Sequence, residues 1–410
     1  MPTNRIRRFA PIAALFAATA CGGLLDVEAP GTIEDENLNS EDAIPGLVVG
    51  MAFDLAQSLD NSIETLTLAA GELFHGGSYN LADVPRGIIL PEDVNGEWDT
   101  MQQARWVAEQ GIVRIRDNIL TGEKAAQFET SSLVARAYLL AGLANRQLGE
   151  NLCFTAIDGG PREPNTVHFP RAEEQFTEAI RIGQAAGTSA TDFVTAAYAG
   201  RASVRAWQGN WSGAVEDAAR VPAGFVHLAR LSTDGESNSL AQETHNRFEY
   251  SVWGTEFAER PGDPRAPWEI IYRSDGTVAT GANGSTLHYQ QQKYITSGDD
   301  IPLVKGTEML VLRAEAALRD NDIAAAFSLL NEARAVHSMA PLDVPASADE
   351  AWDILHAERG ATVWLENRRL WDLRRWFAET GPAHHDFLAD RDQCIPVSEV
   401  EMQTNPASRG

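Results

Sequence analysis

"ERGATVWLENRRLWDLRRW" occupies residues 358–376. It holds five arginines and three tryptophans. Basic residues interleaved with aromatics are one signature of a nucleic-acid groove. An amphipathic helix with a tryptophan-rich core face and paired charges has the same look. The wider segment decides between them. From Asp349 to Glu379 the bases are Arg359, Arg368, Arg369, Arg374 and Arg375. The acids are Asp349, Glu350, Asp353, Glu358, Glu366, Asp372 and Glu379, so the segment is net negative. Glu366 and Arg369, and Asp372 and Arg375, stand i,i+3; Arg368 and Asp372 stand i,i+4. That spacing pairs charges along one helix. Ala351, Leu355, Trp364, Leu365, Trp371 and Leu373 supply an apolar side. The stretch reads as part of one long amphipathic helix whose tryptophans are core.

The whole chain points the same way. Its 33 Lys+Arg stand against 58 Asp+Glu, a formal net charge of -25. Such a field repels polyphosphate, and no basic tail offsets it, so no nucleic-acid partner is expected. With 44% hydrophobic and 22% charged residues over 410 positions, the composition is globular and can bury a large core.

The first twenty residues read as an export signal. Arg5, Arg7 and Arg8 precede the short apolar run "FAPIAALFAATA", and small residues lead to Cys21. The run is too short to span a membrane. The cysteine directly after "ATA" resembles a bacterial lipobox, with Ala18 where leucine is commoner. On that reading Cys21 is the lipidated first residue of the mature chain; plain secretion with a free Cys21 is the alternative. Losing residues 1–20 removes three arginines and no acid, which takes the net charge from -25 to -28. Cys153 and Cys394 are compatible with one disulfide in an oxidising compartment, but two cysteines alone do not show it. Their spacing is not that of metal ligands.

Residues 21–40 read as an extended acidic leader and 41–410 as one domain. Helical periodicity appears in "SEDAIPGLVVGMAFDLAQSLDN" and from about Trp98 to Asn118, with a Gly-, Pro- and Asp-rich loop over 75–97 between them. Helical pairs follow near 129–187, 190–221 and 306–338. The turns "GNWSGAVEDA" and "DNDIAAAF" have the pattern of tetratricopeptide units. Small residues let antiparallel helices approach and larger ones fill the groove. The expected fold is mainly α, a scaffold of tetratricopeptide-like pairs. A loop-rich insertion over 222–301, polar and rich in Gly and aromatics, interrupts it with a few short strands.

No catalytic constellation stands out: no His-Glu-x-x-His, no Gly-x-Ser-x-Gly, no phosphate-cradling Gly-Lys-Ser/Thr and no dinucleotide glycine fingerprint. His384, His385 and Asp386 form a small donor group that reads as a solvated helix end, because no further clustered ligand accompanies it. No catalytic residue, metal or cofactor is therefore assigned. Aromatics beside polar loops are the better clue: Tyr79, Trp98, Trp253, Trp268, Tyr272 and Tyr289. A ring stacks on the apolar face of a sugar, or pins its own loop to the scaffold. Tyr79, Trp98, Trp253 and Trp268 are the ligand-binding candidates.

Four stretches, in order, resemble the SusD/RagB family of outer-membrane nutrient-binding lipoproteins. They are "CGGLLDVEAPGTI", "KYITSGDDIPLVKGTEMLVLRAEAAL", "ERGATVWLENRRLWDLRRW" and "IPVSEVEMQTNP"; "GDPRAPW" resembles a further common element. The resemblance implies an α-rich fold with loops forming the ligand face and the Trp/Arg segment as structure. It implies a non-catalytic, lipid-anchored protein on the outer membrane that captures oligosaccharide or peptide. The ligand passes to a TonB-dependent, SusC-like transporter. Two other readings stay open: a tetratricopeptide scaffold lipoprotein that organises an outer-membrane complex, and a surface glycosidase.

Overall fold

The computed structural model describes residues 35–77, 81–235, 237–381 and 386–409. The export signal, Cys21, most of the leader, Tyr79, His384 and His385 lie outside them. The first described helices are α1 (Ile44–Ala69), α2 (Asn95–Arg114), the single turn α3 (Ala125–Phe128), α4 (Ser132–Asn151) and α5 (His168–Ala186). Next come α6 (Thr191–Trp207), α7 (Trp211–Ala218), α8 (Ser239–His245), α9 (Gly306–Arg319) and α10 (Ile323–Val336). The last are α11 (Ala348–Thr362), α12 (Arg369–Thr380) and α13 (Glu399–Thr404). The expected pairs are α4/α5, α6/α7 and α9/α10, and α1/α2 adds a fourth. Each pair packs on the next, α2 on α4, α5 on α6 and α7 on α9.

Close approach is built into the sequence. A Cβ on Gly142 of α4 would stand 2.6 Å from the ring of Phe176 on α5, and one on Gly200 of α6 would stand 2.4 Å from it. Phe176 is thus wedged between two helices at positions where only glycine leaves room. The tetratricopeptide-like turns work through their caps. Asn210 accepts a hydrogen bond from the Gly213 N–H at 3.0 Å, and Asp322 accepts from Ala325 at 2.9 Å. Each satisfies one orphan donor at the start of the second helix of its pair.

The strands among the described residues form antiparallel two-stranded pairs. They are β1 (Phe74–His75) with β5 (Tyr250–Ser251), and β2 (Phe154–Ala156) with β3 (Arg162–Pro164). The others are β4 (Val226–Ala229) with β8 (Ile301–Lys305), and β6 (Trp268–Ile270) with β7 (Tyr289–Gln291). The insertion carries β4 to β7 and α8, and α1 holds it. Asp60 accepts from the Ser239 N–H at 2.6 Å, and Glu64 accepts from the Tyr250 hydroxyl at 2.6 Å. Cys153, just beyond α4, is disulfide-bonded to Cys394 in the C-terminal tail.

The Trp/Arg stretch departs from the expected single helix. It is α11 and α12, broken over residues 363–368, where Leu365 and Asn367 take φ of 57° and 58°. Distant side chains fill the break. The Leu365 N–H donates to Glu72 at 2.8 Å, and its carbonyl accepts from the Tyr294 hydroxyl at 2.9 Å. Lys293 donates to the Trp364 carbonyl and to Glu366, both at 2.5 Å. Asn367 donates to the Leu59 carbonyl at 2.9 Å. These partners satisfy backbone groups that a helix would otherwise pair internally.

The charges pair differently as well. Only Asp372 and Arg375 form the expected local pair, at 2.9 Å. Glu366 binds Lys293 and Lys305, and Arg369 binds Glu256. Arg368 reaches Glu150 of α4 at 2.8 Å and Glu308 of α9 at 2.9 Å. Arg359 reaches Glu308 at 3.1 Å and Asp372 at 2.7 Å, and Arg375 also binds Glu315 of α9. Arg359, Arg368 and Arg375 are buried, and Arg369 and Arg374 are half-buried, Arg374 donating to the Glu150 and Leu152 carbonyls, so every arginine of the segment is engaged.

This packing makes two testable claims. Trp364 is 0% exposed, whereas Trp371 is half-buried between Phe169 and Trp207. Trp364→Ala is expected to cost about 3–5 kcal/mol of stability and Trp371→Ala less, read by chemical denaturation. The opposite order would place the core on the wrong ring. The second concerns Glu72, whose carboxyl burial pushes up to about 8, against the lowering effects of Arg369, the Leu365 N–H and Lys293. The unfolded chain releases this proton near the ordinary value of 4.5, so between pH 4.5 and 8 the folded state holds a proton that the unfolded state lacks. This group's contribution to stability therefore falls as pH rises through that window, by up to about 1.4 kcal/mol per unit. Glu72→Gln should flatten that slope relative to the parent in melts from pH 4.5 to 8; an unchanged slope counts against a protonated Glu72.

Candidate functional site

α1 ends at Ala69, and Gly71 follows with φ +67°. A Cβ at Gly71 would stand 2.8 Å from Cζ of Phe387, so glycine lets that ring lie on the backbone at the helix end. A cleft of about 480 Å³ opens here. Phe74, Glu256 and Arg260 line one side, and His356, Arg369 and Trp376 another; Phe387 and Arg391 add to the lining. Phe74 and Phe387 are 37% and 38% exposed.

The aromatic parts are held in place. Trp253 meets Phe74 edge-on, with ring centroids 5.9 Å apart at 86°. The Arg391 guanidinium lies 4.4 Å from the centre of the Phe387 ring, and the His356 ring centre lies 4.0 Å from that of Trp376. Arg369 is ion-paired with Glu256 and donates to the Ala70 carbonyl at 3.2 Å. Arg260 stands 3.7 Å from the same carboxylate and donates to the Ala357 carbonyl at 3.1 Å. Both charge signs therefore border the cleft in fixed positions. Half-exposed rings stand beside hydrogen-bonding groups, which suits a ligand with an apolar face and polar edges.

The structure treats the sequence candidates unequally. Trp98 is 1% exposed and is not a loop residue: α2 begins at Asn95, which turns the ring into the core. It is withdrawn as a stacking residue. Trp253 adjoins the cleft through Phe74. Trp268 is half-buried, stacked on Tyr289 at 5.1 Å and 3°, and its Nε1–H donates to the Phe257 carbonyl at 2.9 Å. One face of that ring is therefore covered. Tyr272 is 61% exposed, and Tyr79 lies outside the described residues.

Phe74 and Phe387 escape a sequence reading that weighs only Trp and Tyr as loop aromatics. Phe74 sits in "GELFHGG", among the glycines that mark the turn, so the same criterion applied to phenylalanine finds it. Among the described residues no group of three or more His, Cys, Asp or Glu is placed to hold a metal ion.

Known proteins bear on the family. Residues 286–407 match the SusD family model. A SusD superfamily protein from Bacteroides fragilis NCTC 9343 has a similar solved structure, with a TM-score of 0.67 at 13% identity. That match covers 90% of this chain and 98% of the other. A SusD homolog from Bacteroides thetaiotaomicron VPI-5482 gives 0.65 at 12% identity, over 90% and 96%. A SusD-like carbohydrate binding protein from Bacteroides vulgatus ATCC 8482 gives 0.57 at 14%, over 82% and 83%. No curated protein matches the chain. At these identities the structures speak for the fold, and the match over residues 286–407 speaks for the sequence. Residues 286–407 thus resemble the SusD family in sequence, and the chain as a whole has the fold of SusD-like proteins.

Proposed function

We propose that this protein captures an oligosaccharide in the cleft at the end of α1 and delivers it to a TonB-dependent, SusC-like transporter. SusD/RagB proteins are in general nutrient-binding and non-catalytic. The observation that carries the reading is the aromatic border of Phe74, backed edge-on by Trp253, and Phe387 beside the Arg369–Glu256–Arg260 ion pairs. Rings offer the apolar face of a sugar a flat surface, and the fixed charged groups accept from or donate to its hydroxyls. A peptide ligand is the competing outcome. Trp268 joins the proposal as a support for the cleft wall, since its indole holds the Phe257 carbonyl next to Glu256.

We place the protein on the outer membrane, anchored by lipid at Cys21. No described helix is long and apolar enough to cross a membrane. A lipid on Cys21 supplies an attachment that the described helices do not. Cys21→Ser is therefore expected to leave the membrane fraction in cells that lack the transporter. A variant that fractionates like its parent would refute the anchor.

The ligand test is calorimetry with panels of oligosaccharides and peptides. One oligosaccharide class should bind the parent, and Phe74→Ala and Trp253→Ala should each weaken it about tenfold, or about 1.4 kcal/mol, while melting like the parent. Equal binding by both folded variants would remove the cleft from the account. Binding of peptides alone would replace the ligand class.

A further inference from the structure

A second cleft, of about 410 Å³, opens elsewhere on the molecule. It touches Val49 to Leu55 of α1, whereas the first touches Leu68. At 1.5 Å per residue the two lie roughly 20–30 Å apart along that helix. Val49 and Phe53 stand i,i+4 on one face of α1, 58% and 46% exposed. Val226 of β4, 48% exposed, lies across from them, and Leu140 of α4 and Phe193 of α6 complete the apolar lining. Three large apolar side chains face solvent around one opening, where a soluble surface normally scatters them.

One charge in this lining is unanswered. Arg136, the fifth residue of α4, is half-buried, with its guanidinium carbon 5.8 Å from the centre of the Phe193 ring. Among the described residues it makes no hydrogen bond or ion pair. The other ionisable groups of the cleft do not serve it. Arg230 is ion-paired with Asp300 at 2.5 Å. His227 meets Phe193 edge-on, and burial lowers its pKa to about 4, so it is neutral. Asp192, exposed in the first turn of α6, forms no ion pair with Arg136. A guanidinium stays charged at any physiological pH, and a partly desolvated one gains from a carboxylate that matches its fork.

We propose that this cleft binds a small amphipathic carboxylate, with the carboxylate on Arg136 and an aliphatic chain against Val49, Phe53 and Val226. The volume equals roughly fourteen waters at ~30 Å³ each, which suits a ten-carbon acid or a dipeptide. A glycan would leave its hydroxyls facing the apolar rim. The chain's net charge of -25 attracts no anion by itself, so selectivity rests on the local guanidinium. The carboxylate has two sources, a medium-chain fatty acid or the C-terminus of a short peptide with an apolar last residue.

The site is independent of the oligosaccharide reading, and one set of titrations tests it. Decanoate and N-acetyl-alanyl-leucine are titrated into the full-length protein, with methyl decanoate and the peptide amide as controls. At least one free acid should bind. Arg136→Met should weaken it tenfold or more, and the neutral control should bind at least tenfold more weakly. Val49→Glu, at the solvent-facing rim, should also abolish binding, and its titration decides the matter if Arg136→Met does not fold. Phe74→Ala, which alters only the first cleft, should bind the free acids as the parent does. Decanoate alone binding identifies a lipid source, and the peptide alone a peptide source. Binding of neither acid, equal binding by folded Arg136→Met, or equal binding of the neutral controls would overturn the proposal.

Discussion

Four guanidinium groups are buried against four carboxylates at the centre of this molecule. Arg146, Arg359, Arg368 and Arg375 face Glu150, Glu308, Glu315 and Asp372, and none is more than 9% exposed. The groups come from α4, α9, α11, α12 and the break before α12. Removing eight charges from water is costly, and the attraction recovers that cost only when each group meets its partner. The network therefore selects one arrangement of four helices more than it adds net stability. Arg368 shows this best, since one side chain ties the break to Glu150 on α4 and Glu308 on α9.

The cleft inherits its geometry from that arrangement. The break over 363–368 sets where α12 starts, and its first residue, Arg369, reaches Glu256 and the end of α1. Glu72 joins the break to the same end of α1 through the Leu365 N–H. A shift of α12 would move Arg369, Trp376 and the following segment with Phe387 together. The helical scaffold and the loop-borne ligand face are coupled through a few residues whose role the Trp/Arg stretch makes visible only in three dimensions.

What the sequence revealed depended on whether the controlling contact was local. The turns at Asn210 and Asp322 were legible because a cap is set within three residues. The helical pairs followed from periodicity, and the failure of that period marked the insertion. The break at Leu365 was hidden because Glu72, its partner, lies 293 positions away. The arginines looked like helix-surface charges because i,i+3 and i,i+4 spacing says nothing of burial. Trp98 was misplaced by three residues of helix start, which exchange a loop for a core position. The disulfide was an open possibility, and Cys153–Cys394 proved to be bonded once the chain brought α4 beside the tail. Arg136 gave no signal, since an unpaired arginine on an amphipathic helix reads as solvated.

The central claim is that the Trp/Arg stretch is a buried electrostatic clasp. A double-mutant cycle on Glu315 and Arg375, with unfolding free energy from denaturant titration, tests it most directly. Each single change, Glu315→Gln or Arg375→Met, takes one partner from a buried charge, leaving Arg375 ion-paired with Asp372 alone or Glu315 with Arg319 alone, and should cost about 3–5 kcal/mol. The double variant should cost less than the sum by at least about 2 kcal/mol, because the second change removes the under-paired charge. Single costs below about 1 kcal/mol, in the range of exposed pairs, together with additivity, would contradict the clasp.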